Sequence, residues 1–229
     1  EVFGPDAEKL TIAYRFGGTG DPDYAMVTLV DMLLNNSEAG LIDLNLKQQQ
    51  KVLNAGSYVD NMNDYSLHTF YGNPKEGQTL DEVKELILAQ VDLLRKGEFD
   101  DWLIDAVVTD LKKSEMNQLE NNWSRANKMV MAFTNDMEWS KYISFLDRLE
   151  KITKQEVVDF VNANYGENYV LVYKRNGEDP NKQRVEKPEI TKVPLNREVK
   201  SEFYEAIAAK ESPKIQPVFV DYAADISRE

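Results

Sequence analysis

The 229-residue chain has no cysteine and a single histidine, His68. Without cysteine there is no disulfide, no thiolate metal site and no thiol nucleophile, and one histidine cannot furnish the two-His or Cys/His sets of ordinary zinc sites. Serine hydrolysis has as little to rest on, since the chain holds no Gly-x-Ser-x-Gly elbow and only one candidate base. Glycine clusters at Gly17-Gly18-Thr19-Gly20, but no Gly-Lys-Ser/Thr follows, so the segment reads as a strand-to-helix turn and not a phosphate loop. No apolar run approaches the roughly 20 residues that span a bilayer. Positive charge is in short supply: 27 Lys and Arg stand against 40 Asp and Glu, for a net charge of −13. That field repels phosphate backbones and excludes nucleic acid as a partner, while leaving basic peptides as something it could attract. The acidic residues lack the spacing of a calcium loop and read as solvation of helix surfaces.

Apolar residues make up 42% of the chain and aromatics 10%, enough to bury a sizeable core. The chain opens at Glu1 with neither methionine nor signal peptide, as expected of an excised segment. Lys9 to Phe16 alternate polar and apolar side chains and predict a strand. Asp21-Pro22 then offers an N-cap and a first-turn proline for a helix carrying Met26, Val27, Leu29, Val30, Leu33 and Leu34. A second helical pattern follows Gly40. Ala55 to Met62 and Tyr65 to Tyr71 read as strands joined through Asn63-Asp64. Thr79 with Glu82 and Thr153 with Glu156 form capping boxes that open two helices, the first stopped by Gly97. Helical patterns cover Asp100 to Leu119, Trp123 to Phe133 and Glu138 to Leu149, and Tyr169 to Lys174 is the last strand. This order predicts an α+β fold, a mostly antiparallel sheet with helices packed on one face.

Past Gly177 five of the eight prolines accumulate, which predicts a domain over residues 1–176 and a Pro-rich linker over 177–229. Within the linker, Glu198 to Ala209 forms one short helix and Ile215 to Tyr222 is extended. Phe203, Ile207, Val218 and Phe219 are its anchors onto a neighbouring surface. His68, in the strand pattern SLHTFY, is expected to be a hydrogen-bonded sheet residue. Trp102, Trp123 and Trp139, widely spaced in helical patterns, are expected to be core or helix-contact anchors.

Taken in order, several segments resemble a repeat unit of the M16 zinc peptidases, the pitrilysin and insulin-degrading-enzyme family. They are LTIAYRF before Asp21-Pro22-Asp23-Tyr24 and an apolar helix; Gly40-Leu41 with LNLKQQQKVLNAGSY; Gly97-Glu98-Phe99-Asp100; and LEKITKQEVVDFV ahead of YVLVYK. The resemblance covers residues 7–176. It implies a domain of a protein whose two homologous halves, each of two such domains, close as a clam-shell around unfolded peptide. In that family only the first domain carries His-x-x-Glu-His, which this chain lacks. The match is therefore to a non-catalytic domain, the second of the first half, with the inter-half linker after it; PKIQPVFVDY is similar to the lead-in of a second half. The implied role is to form part of the chamber and support the zinc domain, with no activity alone. Zinc is expected in the preceding domain of the parent protein, none in this chain. Partners would be other M16 domains of the same polypeptide or a partner subunit, and unfolded peptide. The family's last domain places an arginine and a tyrosine on substrate in Leu-Arg-(x)6-Tyr; these positions fall on Lys47 and Asn54, and both depart from the pattern. Two alternatives stay open: a catalytically silent scaffold or partner subunit, and a free-standing module that binds peptide at a sheet edge. Long bacterial members are often exported, so the family-level expectation for location is the cell envelope or periplasm.

Overall fold

A computed structural model describes residues 1–179 and 186–211. The chain divides into two units, Glu1–Lys182 and Gln183–Glu229.

In the first unit five strands form one sheet in the order β1-β5-β2-β4-β3. They are β1 (Val2–Gly4), β2 (Lys9–Gly17), β3 (Asn54–Asn61), β4 (Tyr65–Asn73) and β5 (Val170–Asn176). All neighbours are antiparallel except β1 and β5, which run parallel with Val2 opposite Lys174. The period of two expected over Lys9–Phe16 holds: Leu10, Ile12, Tyr14 and Phe16 are buried, and the residues between them are not. Across the ladder, Leu10 faces Gly72, Ile12 faces Phe70 and Tyr14 faces His68. That face is the core. β1 was not foreseen: three residues ending at Gly4-Pro5 are too short to show alternation.

Helices cover the core face alone. α1 (Asp23–Leu34) buries Val27, Leu29, Val30, Leu33 and Leu34, each worth about 1.5–3 kcal/mol against exposure. Its start differs from expectation. Pro22 occupies the cap position with no side-chain bond, and Asp21 Oδ2 instead accepts from the Gly18 N–H at 2.7 Å, so the carboxylate serves the preceding turn. After Gly40 the chain winds as a π-helical turn, Asp43–Gln48, where an ordinary helix was anticipated. α2 (Leu80–Lys96) begins at the Thr79–Glu82 capping box and ends at Gly97 with φ +68°, a left-handed position that favours glycine. α2 lies on β4 and β2, and it comes close because Gly72 presents no side chain: a Cβ there would sit 2.4 Å from Val83 Cγ1.

α3 (Trp102–Leu119) and α4 (Asn122–Thr134) follow. The single helical pattern expected over Glu138–Leu149 splits into α5 (Trp139–Ile143) and α6 (Phe145–Leu149). The split falls at Ser144, whose Oγ donates to the Ser140 carbonyl at 2.7 Å. α7 (Lys154–Asn164) starts at the second capping box, Thr153–Glu156, and packs on α2 and α1.

In the second unit α8 (Glu202–Ala208) is shorter than the Glu198–Ala209 expected, because Ser201 caps it by accepting from the Tyr204 N–H at 3.1 Å. Phe203 and Ile207 are exposed. The expected extended run Ile215–Tyr222, with Val218 and Phe219, lies outside the described residues.

Candidate functional site

His68 has no exposure, and both its ring nitrogens are engaged. Asp31 Oδ1 lies 3.1 Å from Nε2, and the Tyr165 hydroxyl lies 2.6 Å from Nδ1. A carboxylate can only accept, so Nε2 carries the proton and donates to Asp31, while Nδ1 accepts from Tyr165. Ser57 Oγ donates to the same Asp31 oxygen at 2.6 Å, and Asn35 Nδ2 donates to the Ser57 carbonyl at 3.0 Å. The network joins β3, β4, α1 and the end of α7. Sequence reading placed His68 correctly in a hydrogen-bonded sheet position but missed its partners. One local signal was available, since Asp31 stands four residues after Val27 on the buried stripe of α1.

The order Ser57–Asp31–His68–Tyr165 brings together the residue types of a proton relay, yet Tyr165, His68 and Ser57 are buried beneath α1 and α7, and a substrate has no route to them. Nor do these residues fit zinc, because the one histidine has no free nitrogen. Among the described residues no group of three or more His, Cys, Asp or Glu could hold a metal, and no helix is long and apolar enough to cross a membrane.

Tyr165 and Tyr14 sit side by side, ring centroids 4.9 Å apart, and burial pushes both phenols above the usual tyrosine range. A group whose folded value is raised contributes its stability fully below the unfolded value, about 10 for tyrosine, and loses it as pH rises beyond that. Stability is therefore expected to decline above about pH 10. In a tyrosinate absorbance titration Tyr14 and Tyr165 should ionise only with unfolding. Early, reversible titration of all eleven tyrosines in a folded chain would contradict the burial.

Lys47 lies on the π turn, its Nζ 2.6 Å from Asp43 Oδ1. Asp43 Oδ2 in turn accepts from the N–H groups of Asn36 and Ser37 at 2.9 and 2.8 Å, so Lys47 neutralises a carboxylate that ties the α1 exit loop to the turn. Asn54 opens edge strand β3 and is exposed, opposite Asn73. No hydrogen bond or ion pair joins Lys47 to Asn54 among the described residues.

The sheet face opposite the helices carries no helix of its own. Val170, Tyr58, Lys9 and Arg15 are exposed on it; Lys9 lies 5.1 Å from the Tyr71 ring and Arg15 5.0 Å from the Tyr65 ring. A third surface is helical. α4 is covered only along Ser124, Lys128 and Ala132, which leaves Trp123, Met129 and Phe133 in solvent, at 77%, 61% and 86% exposure. Trp102 and Trp139 are also exposed, at 54% and 43%. Of the core or helix-contact positions expected for the three tryptophans, the core one is thereby corrected, while Trp139 does stack on Tyr142 of its own helix at 5.5 Å: helical spacing marks an apolar stripe but does not say whether this chain supplies what covers it.

The domain matches known proteins in sequence and in fold. Residues 1–111 match the family model for the peptidase M16 inactive domain. No curated protein matches the chain. A protease from Helicobacter pylori aligns with TM-score 0.70 and 14% identity, over 76% of this chain and 43% of its own. The inactive peptidase domain of a candidate zinc protease from Bordetella parapertussis aligns with TM-score 0.67 and 13% identity, over 77% of this chain and 97% of its own. A chain of complex III from Candida albicans aligns with TM-score 0.61 and 10% identity, over 76% of this chain and 45% of its own. This chain thus spans less than half of the Helicobacter protease and of the complex III chain, and nearly all of the Bordetella domain. Residues 1–111 thus match the peptidase M16 inactive domain in sequence, and about three quarters of the chain shares the fold of such a domain.

Proposed function

We propose that this domain is a supporting wall of an M16 zinc metalloendopeptidase, the second domain of its first half, and that residues 177–229 link it to the second half. Zinc and the catalytic groups are supplied by the preceding domain of the parent protein, and the substrate is unfolded peptide. The observation that carries the reading is α4. A helix with Trp123, Met129 and Phe133 exposed has the character of a surface completed by another domain. The open sheet face then lines the peptide-enclosing space.

The Candida likeness favours a second reading, a silent M16-like subunit of a larger assembly. The two part on activity. In the parent protein, Phe133→Asp combined with Trp123→Asp is expected to lower peptide turnover by about tenfold or more while zinc content is unchanged. The isolated 229-residue chain, incubated with zinc and a quenched peptide, should give no cleavage. Unaltered turnover in the doubly substituted parent would sink the wall reading, zinc-dependent and chelator-sensitive cleavage by the isolated chain would sink the non-catalytic one, and a parent without turnover would favour the silent subunit.

A further inference from the structure

Asn176 is the one asparagine in this chain that a glycine follows. In such a pair the backbone nitrogen of the glycine can attack the side-chain amide before it, because glycine brings no side chain to shield the approach. The new bond joins Gly177 N to Asn176 Cγ, the Cγ–Nδ2 bond breaks, and the amide leaves as ammonia with the proton that Gly177 N gives up. Water then opens the five-membered imide on one side or the other. The product is aspartate or, with one more methylene in the main chain, isoaspartate. No reagent but water is consumed.

Both reacting groups are held in the folded chain. Asn176 is the last residue of β5 and lies opposite Gly4 of β1. The Gly177 N–H donates to the Gly4 carbonyl at 3.0 Å, which occupies the nitrogen that would attack. Asn176 Nδ2 donates to the Pro5 and Asp6 carbonyls at 2.9 and 3.2 Å, which fixes the amide. All three bonds end on residues 4–6. The hold on that segment is slight: β1 is three residues long, and Val2 and Phe3 are 48% and 39% exposed, so little apolar burial opposes a local opening. Gly177 has φ +130° and open space where a Cβ would stand, so water meets the pair whenever β1 lifts.

We propose that Asn176-Gly177 is a self-modification site, deamidated when β1 leaves β5, and that the product then keeps β1 away. A carboxylate has no proton to donate, so at position 176 its oxygens would face the Pro5 and Asp6 carbonyls with no hydrogen between them. The neighbouring cations are engaged: Arg175 pairs with Glu1 at 2.8 Å, and Lys174 donates to the Ala7 carbonyl at 3.0 Å. Isoaspartate also lengthens the backbone and moves Gly177 out of register with Gly4. A brief opening of the edge strand is thereby made permanent.

The test incubates the 229-residue chain at mildly alkaline pH with and without urea and locates deamidated peptides by chromatography and mass spectrometry. Product at Asn176 should form about tenfold or more faster in urea than in the folded chain. Val2→Pro with Phe3→Pro removes strand N–H groups at two largely solvated positions and should raise the rate in the absence of urea, with the cooperative unfolding of the core retained. Asn176→Gln keeps a carboxamide but requires a larger ring, and should abolish the product. In the deamidated chain, separated by ion exchange, amide hydrogen exchange at residues 2–4 and at Gly177 should be faster than before. Equal rates with and without urea would overturn the proposal, as would an unchanged rate in the proline variant or modification of another asparagine before Asn176. Unchanged hydrogen exchange in the deamidated chain would show that the product does not keep β1 away, and would overturn it as well.

Discussion

His68→Ala is expected to destabilise the domain by about 4 kcal/mol, read as a fall in the denaturant midpoint at unchanged slope. Two losses add. The imidazole packs 4.3 Å from the Phe70 ring and edge-on to Tyr165, so its removal opens a void in a face with no exposure. It also strands its partners: the Tyr165 hydroxyl loses its acceptor inside the core, and Asp31 keeps only Ser57. A buried polar group left unpaired costs about 1–3 kcal/mol, and domains of this size have about 5–15 kcal/mol in all. Tyr165→Phe removes the donor and leaves an apolar ring in place, so its cost should be about 1–2 kcal/mol. The two substitutions share a partner and should not add: the double variant is expected to lie well short of the sum. If His68→Ala proves no more harmful than an exposed substitution, the network is not what holds α1, α7 and the sheet together.

Gly72→Val is expected to cost about 3 kcal/mol for the opposite reason, excess volume. A Cβ at Gly72 would lie 2.4 Å from Val83 Cγ1 and 2.9 Å from Ile87 Cδ1, both buried on the sheet-facing side of α2. Valine favours strands, so the loss would arise between layers and not within the ladder. The check is a second substitution: Val83→Ala makes room, and Gly72→Val should be less damaging in that background than in the parent chain. A wild-type midpoint for Gly72→Val alone would mean that α2 does not approach the sheet this closely.

What could be read beforehand was whatever a short stretch of chain decides for itself. The Thr79–Glu82 and Thr153–Glu156 boxes, the stop at Gly97 and the alternation of β2 depend on neighbours a few residues away. The failures needed partners far off. β1 is three residues and becomes a strand because Lys174–Asn176 comes to lie beside it. Asp31 is an oddity on an apolar stripe until His68 is placed 37 residues along the chain. Trp102, Trp123 and Trp139 looked like core or helix-contact residues, and the sequence of one domain cannot state which of its apolar faces another body will cover. No residue was legible as a reaction site, and the one histidine is tied up in the core by Asp31 and Tyr165.

The parallel pairing of β1 with β5 also sets the order in which this molecule can be assembled. β2, β3 and β4 are all contained in the first 73 residues and can zip together early. Their neighbour β5, and Tyr165 just before it, arrive about a hundred residues later, and β1 has no strand to lie against until they do. Closing a loop of that length adds conformational entropy that local pairing does not face, and it delays the contacts that depend on it. During synthesis, then, His68 waits without its phenol and the Leu10 edge of the sheet stays bare until residue 176 has emerged, so the seam between β1, β5 and β2 is the last part of the domain to close.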